Sequence, residues 1–555
     1  MLRIFPPAFP LAGFLALSLP LFAAQLPSDQ ILRNEQQRLD LQREQQQRRP
    51  DVFLTPSAPT ALPAQAPVVG PCFAVRRVEL EGAPAEWLPW LQPAANRLSG
   101  QCLDINAINQ LVASLTDLLV ERGFVTSRVY VPEQNLQSGV LRLVVVPGRV
   151  QAILLPDGTT DLSLRAAFPA HPGDILNLRD LEQGLEQLGR PSSQQATMEL
   201  LPGDAPGESI VRVKRVRSRP VHLLLSEDNS GQMSTGKNQL TGQVSADNVI
   251  GINDVLTVSQ SQDADEVAHP RSKSQSVSWL LPWGKWSAYL SFSTFDYYQT
   301  LDAGLSTIQS RGLSRNTLFS LTRLLDRSQT SKTELALQLT HKAARSFIED
   351  QELAGQRQEL SYIGLQHNRR QYLGSAQLDG SLGMTRGVAL MGAQDNSLAS
   401  QGGPGARPEI YTASLNLAQP LPWAGLRYNA ALKGQYSPHP LFGTDQFSVG
   451  GHNSVRGYDA NSLAAQSGWT WRNDLVWPVT SPVGALEFYA GFDIGQISDL
   501  LTQSTSTSRL SGAAVGIRTN IAGHINAEIS HEQPISCPAG WPRQSITYFS
   551  LALMW

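Results

Sequence analysis

The chain has 555 residues, 41% hydrophobic and 16% charged, with a net charge of −3. That length exceeds one domain, the apolar content excludes a disordered chain, and the lack of a basic excess argues against nucleic acid as a partner. Mean hydropathy is −0.19, and no run of about 20 apolar residues occurs beyond the N-terminus, so a membrane role requires strands rather than helices.

Residues 1–24 read as a secretory signal peptide. Arg3 supplies the positive start, Leu11 to Phe22 the apolar stretch, and Ala23-Ala24 the small residues of a cleavage site. Export makes disulfides possible. Cys72 and Cys102 stand close enough to staple one small domain, and that closure stabilises it by roughly 3–4 kcal/mol in the chain-entropy model. No CxxC pair or Cys/His cluster appears, so no metal site is expected.

Residues 28–49 carry helix formers without Gly or Pro; Asp29 can cap the start and Pro50 stops it. Apolar residues are sparse (Ile31, Leu32, Leu39, Leu41), while Arg33, Arg38, Arg43, Arg48 and Arg49 interleave with Asp29, Glu35, Asp40 and Glu44. Such a helix cannot build a core; it is either solvated or held in a polar cavity. Residues 50–71, rich in Pro and Ala, read as a semi-rigid linker.

Two small α/β units follow, over 72–148 and 149–218. In the first, Phe73–Leu80 alternates as a strand. Asp104–Arg122 reads as a helix with Asp104 as N-cap, one apolar face (Ile105, Ile108, Leu111, Val112, Leu115, Leu119) and Gly123 at its end. Strands Thr126–Val131 and Val140–Val146 complete the unit. The second repeats the order, with strand Val150–Leu155, helix Leu178–Leu188, and strands Thr197–Leu201 and Ser209–Lys214.

From Val221 the pattern changes to alternating stretches of about ten residues. In Ala485–Gly495, Leu486, Phe488, Ala490, Phe492 and Ile494 share one face, and Glu487, Tyr489, Gly491, Asp493 and Gly495 the other. Arg427–Gln435 and Trp469–Trp477 alternate likewise, the second with Arg472 and Asp474 on its polar face. The chain closes on alternating Phe549, Leu551, Leu553 and Trp555. Charges on one face and aromatics at strand ends on the other favour a lipid-facing barrel over a soluble sandwich, and residues 219–555 leave room for about 16 strands. An open sheet would leave edges that lipid cannot satisfy.

The ordered set Phe447-Ser448-Val449-Gly450-Gly451, Val455-Arg456-Gly457-Tyr458 and Gly491-Phe492-Asp493-Ile494-Gly495 resembles the two-partner secretion transporters of the TpsB type. Glu121–Gly148, LRDLEQGLEQL and MELLPGDAPGES resemble the ends and helix of that family's POTRA modules, and Asp228–Gly236 its barrel start. The resemblance implies a 16-stranded antiparallel outer-membrane barrel, two periplasmic POTRA domains and an N-terminal plug helix. It also implies a loop, about 438–468, that folds into the lumen with Val455, Arg456, Gly457 and Tyr458 at its tip. The family exports one large β-helical exoprotein (an adhesin, haemolysin or contact-dependent toxin), bound through the POTRA domains, with no nucleotide hydrolysed. Outer-membrane lipid, and barrel-assembly machinery acting on the C-terminal Trp555, are the other implied partners. Cys537 is expected as a free thiol in a late extracellular loop.

The residues themselves point the same way. An Arg456 that folds into the lumen leaves bulk water and needs a partner, and Asp493 lies on the lumen face, with Gly491 and Phe492 beside it in the wall motif. A three-stranded module exposes sheet edges to which an exoprotein can add a strand; the candidate surfaces are Thr197–Leu201, Ser209–Val213 and the groove beside Leu178–Leu188. No GxxxxGK[ST] loop and no nucleophile constellation appears, and STSTSRLS (504–511) reads as a surface loop. The chain is therefore read as a non-enzyme without catalytic residues or cofactor. The alternatives are an insertase of the same superfamily and a small-solute porin.

Overall fold

A computed structural model describes residues 27–47, 51–54, 71–267, 269–302, 306–397, 399–401, 403–423, 425–458, 461–481, 484–499 and 507–555. The signal segment 1–24 and most of the linker lie outside the described residues. Alternation from Val221 onward becomes a closed, 16-stranded antiparallel barrel, running from Val221–Asp228 to Ile546–Met554. Closure pairs the last strand with the first, Ser550 opposite Asp228. One barrel face is apolar and exposed (Val258, Val277, Leu290, Phe292, Leu365) and the other carries small polar groups (Ser259, Ser261, Ser274, Ser278, Ser293). Serines toward the lumen explain why alternation is faint between 260 and 410: the inner face is small and weakly polar rather than charged. Outward Trp283, Trp286 and Trp477 ring the end nearest the α/β units, and Tyr298, Tyr411 and Tyr436 the far end, where an apolar band meets water. No helix among the described residues is long and apolar enough to cross a membrane.

The N-terminal helix, Pro27–Gln47, stands inside this barrel. Arg38 donates to Ser261, Ser274 to Glu35 at 2.5 Å, Asn316 to Gln36 at 3.0 Å, and Lys433 Nζ lies 3.4 Å from Glu44. A polar wall thus hydrogen-bonds a polar helix. The sparse apolar residues have a use as well: Ile31 and Leu32 are buried against Phe295, Tyr297 and Ala344. The helix starts earlier than its sequence suggests, so Asp29 lies in the first turn rather than capping it; Arg48 and Arg49 lie outside the described residues.

Each α/β unit is a three-stranded sheet whose first and last strands pair in parallel, as Arg77–Glu81 does with Val140–Val146 and Arg149–Leu154 with Glu208–Arg217. Asp104 caps helix Ile105–Glu121 by accepting from the Ala107 N–H at 2.7 Å. Ile108, Leu111, Leu115 and Leu119 of that helix are buried, but Ile105 is 57% exposed, since its first turn overhangs the sheet. The expected strand Phe73–Leu80 is split. Phe73–Val75 leaves the sheet to pair with Gln101–Leu103, and there Cys72 and Cys102 form a disulfide, with Cα atoms 5.4 Å apart. Each unit also holds a second helix, Leu88–Ala95 and Leu162–Ala167; Pro89 and Pro93 hide the former from a sequence reading.

The second unit docks on the barrel rim through helix Leu178–Leu188. Nearly the whole helix is buried. Gln187 donates to the Gly284 carbonyl at 2.8 Å, and Arg327 Nη1 and Lys332 Nζ reach Glu186 at 2.7 and 2.5 Å. Burial works to raise the Glu186 carboxyl, but Lys332, Arg190 and Arg327 outweigh it and hold the group at about 2. The groove beside this helix is therefore closed by the barrel, against expectation. Ser209–Val213 is also corrected: it lies in the central strand, already paired on both sides. Only Gln194–Pro202, which contains Thr197–Leu201, forms an edge on that side. STSTSRLS is no simple loop, because Thr507 opens the barrel strand Thr507–Ile521; 504–506 lie outside the described residues.

Candidate functional site

Between strands Arg427–Tyr436 and Ser467–Ser481, the described residues 437–458 and 461–466 do not stay outside. They enter the lumen as a short hairpin, Phe447–Val449 paired with Leu463–Ala465, and carry their tip onto the wall formed by Gly484–Ser498, Thr507–Ile521 and Ile525–Ser536. At the tip Arg456 is 0% exposed. Its Nε and Nη2 donate to Asp493 Oδ2 and Oδ1 at 2.6 and 2.7 Å, and its backbone N–H reaches Oδ2 at 3.1 Å. Nη2 also donates to Asp474 Oδ1 at 2.6 Å, while the guanidinium lies 5.7 Å from the centroid of the Tyr489 ring. Planar two-point pairing of this kind fixes both the position and the orientation of the loop.

The neighbours complete the clamp. Gly457, at φ 93°, donates its N–H to Glu532 at 3.0 Å. Glu532 also meets His452 Nδ1 at 2.6 Å, and the His452 ring stacks on Tyr548 with centroids 3.5 Å apart. The Tyr458 hydroxyl lies 2.9 and 2.6 Å from the carbonyls of Ser511 and Ser536. Val455 is buried with Val449 and Leu510 in an apolar cluster, against which Cys537 and Trp541 pack. Arg472 donates to the His452 carbonyl at 2.8 Å and stands 4.0 Å from Asp493.

Space for the tip comes from absent side chains. A Cβ on Gly491 would lie 2.5 Å from Asp474 Oδ1, one on Gly495 2.5 Å from Val449 Cγ1, and one on Gly512 3.0 Å from the Arg456 carbonyl carbon with its oxygen closer still. Gly491 and Gly495 of the wall motif, with Gly512 on the neighbouring strand, thus make a cradle for the tip.

The structure brings together Val455, Arg456, Gly457, Tyr458, Asp493 and Gly491, but not Phe492. That side chain is 48% exposed on the outer face, because strand alternation turns it away from Asp493. Asp474, Arg472, His452, Glu532 and Gly512 belong to the clamp and were not singled out as site residues. The signal for the first two existed, since both lie on the polar face of their strand; His452, Glu532 and Gly512 are recruited from distant segments.

Residues 207–519 match the family model described as haemolysin secretion/activation protein ShlB/FhaC/HecB. The chain belongs to this family. Residues 73–148 match a ShlB-type POTRA domain and 149–202 a POTRA domain. The transporter is 32% identical over 548 residues to "Outer membrane transporter CdiB-2" of Burkholderia pseudomallei (strain 1026b), covering 95% of this chain and 93% of that one. It is 28% identical to "Hemolysin transporter protein ShlB" of Serratia marcescens, over 84% and 82% of the two chains. The solved structure of CdiB from Escherichia coli superposes with a TM-score of 0.85 at 28% identity, over 96% of this chain and 99% of that one. The transporter is an outer-membrane barrel with its POTRA domains in the periplasm. Loop 437–466 and the Cys537 loop therefore lie at the cell-surface end.

Two sets of contacts tie segments of the transporter to its barrel. One is the clamp just described. The other is at the periplasmic rim, where Asp51, beyond the N-terminal helix, is gripped by Arg370 at 3.1 Å and Tyr372 at 2.8 Å. Val52 accepts from Arg327 at 2.6 Å, and the Leu54 N–H donates to Glu182 at 2.8 Å. A cavity of about 450 Å³ remains beside the helix, lined by Gln36, Asp40, Lys342 and Asp445 among others.

Proposed function

We propose that this protein exports one secreted partner protein across the outer membrane through its own barrel. The single observation that carries the reading is a polar helix held in a polar lumen by side-chain hydrogen bonds and ion pairs rather than by a continuous apolar interface. Such a helix can leave without exposing a large apolar surface. Relatives named as CdiB and haemolysin transporters over most of their length favour export over the insertase alternative.

The exoprotein enters from the periplasm by adding a strand to an open POTRA edge, with Gln194–Pro202 the candidate in the second domain. Engagement biases the rim toward a state in which the plug helix departs, a population shift that needs no nucleotide. Loop 437–466 stays clamped to the wall and shapes the vacated lumen. Folding of the exoprotein outside makes return unfavourable. Trp555, at the end of the closing strand and bonded through its N–H to the Leu223 carbonyl at 3.0 Å, serves recognition by the barrel-assembly machinery.

The test is deletion of the gene, followed by a census of secreted and outer-membrane proteins. Loss of one large secreted protein with an intact outer-membrane profile is expected. General loss of barrel proteins would instead establish the insertase reading.

A further inference from the structure

The outer face of the barrel carries a charge arrangement that export does not use. On strands Thr307–Arg327 and Ser331–Ile348, side chains at odd positions point outward, as Phe319 and Leu337 show by their exposure of 36% and 49%. Arg311, Arg315 and Arg345 belong to this face and all three are exposed. Register places Arg315 opposite Ala343 and Arg345 opposite Leu313, so the two arginines are diagonal neighbours about 7 Å apart. Arg311 has a carboxylate, Asp296 at 3.5 Å. Among the described residues, neither Arg315 nor Arg345 has an ion-pair or hydrogen-bond partner for its guanidinium. Glu359, opposite Ala343 on the next strand, forms an ion pair with neither. Lys273, outward and exposed two strands away, faces Asp296 in register.

The height of this group on the barrel is fixed by register. Trp286 of the periplasmic girdle is opposite Arg323, Thr294 opposite Arg315, and Asp296 opposite Leu313. From residue 286, a rise of about 3.3 Å per residue on strands tilted about 40° gives roughly 20 Å to the level of Thr294 and Arg315 and roughly 25 Å to that of Asp296, Leu313 and Arg345, the upper border of an apolar band about 25 Å tall. Side-chain chemistry changes at the lower of these two levels. Val258, Val277 and Phe292 form one outward row, whereas Gln260, Gln275, Thr294 and Arg315 form the next row up, with Gln275 donating to Gln260 at 2.9 Å. Tyr298 of the upper girdle lies opposite Arg311. Two unpaired arginines therefore sit where the outer-leaflet headgroups begin, above apolar wall that receives acyl chains. Adjacent like charges repel on a sheet, and an anion seated between them removes the repulsion. Guanidinium forks match phosphate oxygens, and the neighbouring Thr294 and amide side chains match sugar hydroxyls.

We infer that Arg315 and Arg345, assisted by Arg311 and Lys273, bind the phosphate of a phosphorylated glycolipid in the outer leaflet. The inference rests on the outer-membrane placement and not on the export reading, so either can fail alone.

The test uses full-length protein extracted in mild detergent from membranes containing such a glycolipid, with bound lipid counted by native mass spectrometry. The wild type is expected to retain one glycolipid, and R315Q/R345Q to retain it at least tenfold less. R386Q, at the outward Arg386 on another strand, is the control and should match wild type. Glycolipid stripped of phosphate should fail to reload, and millimolar inorganic phosphate alone should leave the retained lipid in place. Heat-modifiable migration on gels reports barrel folding, and if the double variant does not fold, R345Q alone is expected to lose several-fold. Equal retention by the folded arginine variants, equal loading of the dephosphorylated lipid, or displacement by free phosphate would each overturn the inference.

Discussion

Replacing Gly512 by Ala isolates the cradle from the charge pair it serves. Gly512 lies at a register shift but outside the left-handed backbone region, and the nearest barrel atom to a Cβ there would be the Gln533 carbonyl oxygen at 3.4 Å, so the barrel itself tolerates a methyl group. The new Cβ would lie 3.0 Å from the Arg456 carbonyl carbon and overlap its oxygen. Ordinary C···O contact is about 3.3–3.6 Å, so the loop tip must withdraw by roughly 1 Å or more. The bonds from Arg456 to Asp493 at 2.6 and 2.7 Å then pass beyond good hydrogen-bond length. Separating a buried charged pair costs about 3–5 kcal/mol. At about 1.4 kcal/mol per tenfold, the ratio of clamped to displaced loop falls by a hundredfold or more. The assay is trypsin added to intact cells, with cleavage after Arg456 read by mass spectrometry, alongside secretion of the partner protein. Wild type should be protected at Arg456, whereas G512A should be cut there and secrete poorly, yet remain a heat-modifiable barrel. The control is Gly242→Ala, where a Cβ meets nothing within 4 Å. Full protection and full secretion in G512A would refute the cradle argument.

Three further outcomes are expected. Arg456→Ala and Asp493→Asn should each displace the loop and impair secretion, and in protease protection of the loop the double variant should cost far less than their sum; additive losses would count against direct pairing. The Glu186 carboxyl is held at about 2 against 4.5 when free, and the part of this that comes from Lys332 and Arg327 of the barrel stabilises POTRA docking; that contribution is complete above pH 4.5 and disappears as pH falls through about 2. Hydrogen exchange in helix Leu178–Leu188 should accelerate over that window, and Glu186→Gln should make it fast at all pH values. Asp51→Asn removes a charge partner of Arg370 at the rim and should raise plug departures about tenfold, seen as more frequent openings in planar bilayers; unchanged conductance would relieve Asp51 of that role.

Much of the architecture was legible because it rests on local periodicity. A period of two over ten residues with aromatic ends specifies a lipid-facing strand, and a capped 3.6-residue period specifies the POTRA helices Ile105–Glu121 and Leu178–Leu188. The VRGY and wall motifs placed Arg456 beside Asp493 because alternation already put Asp493 on the lumen face. Tertiary structure alone decided the rest. His452 and Glu532 join the clamp only when segments distant in sequence curl into one wall. Gly512 matters only because a loop from elsewhere presses on it. Helix Leu178–Leu188 reads as a free amphipathic surface, yet its polar residues Gln183, Glu186 and Gln187 are spent on the barrel rim, since a polar face does not announce whether water or another polar surface will cover it. Sequence alone determined which face each side chain takes, because that is set by backbone geometry within a few residues. The partner met by that face was decided only by closure of the chain, because contacts between remote segments depend on where sixteen strands place them.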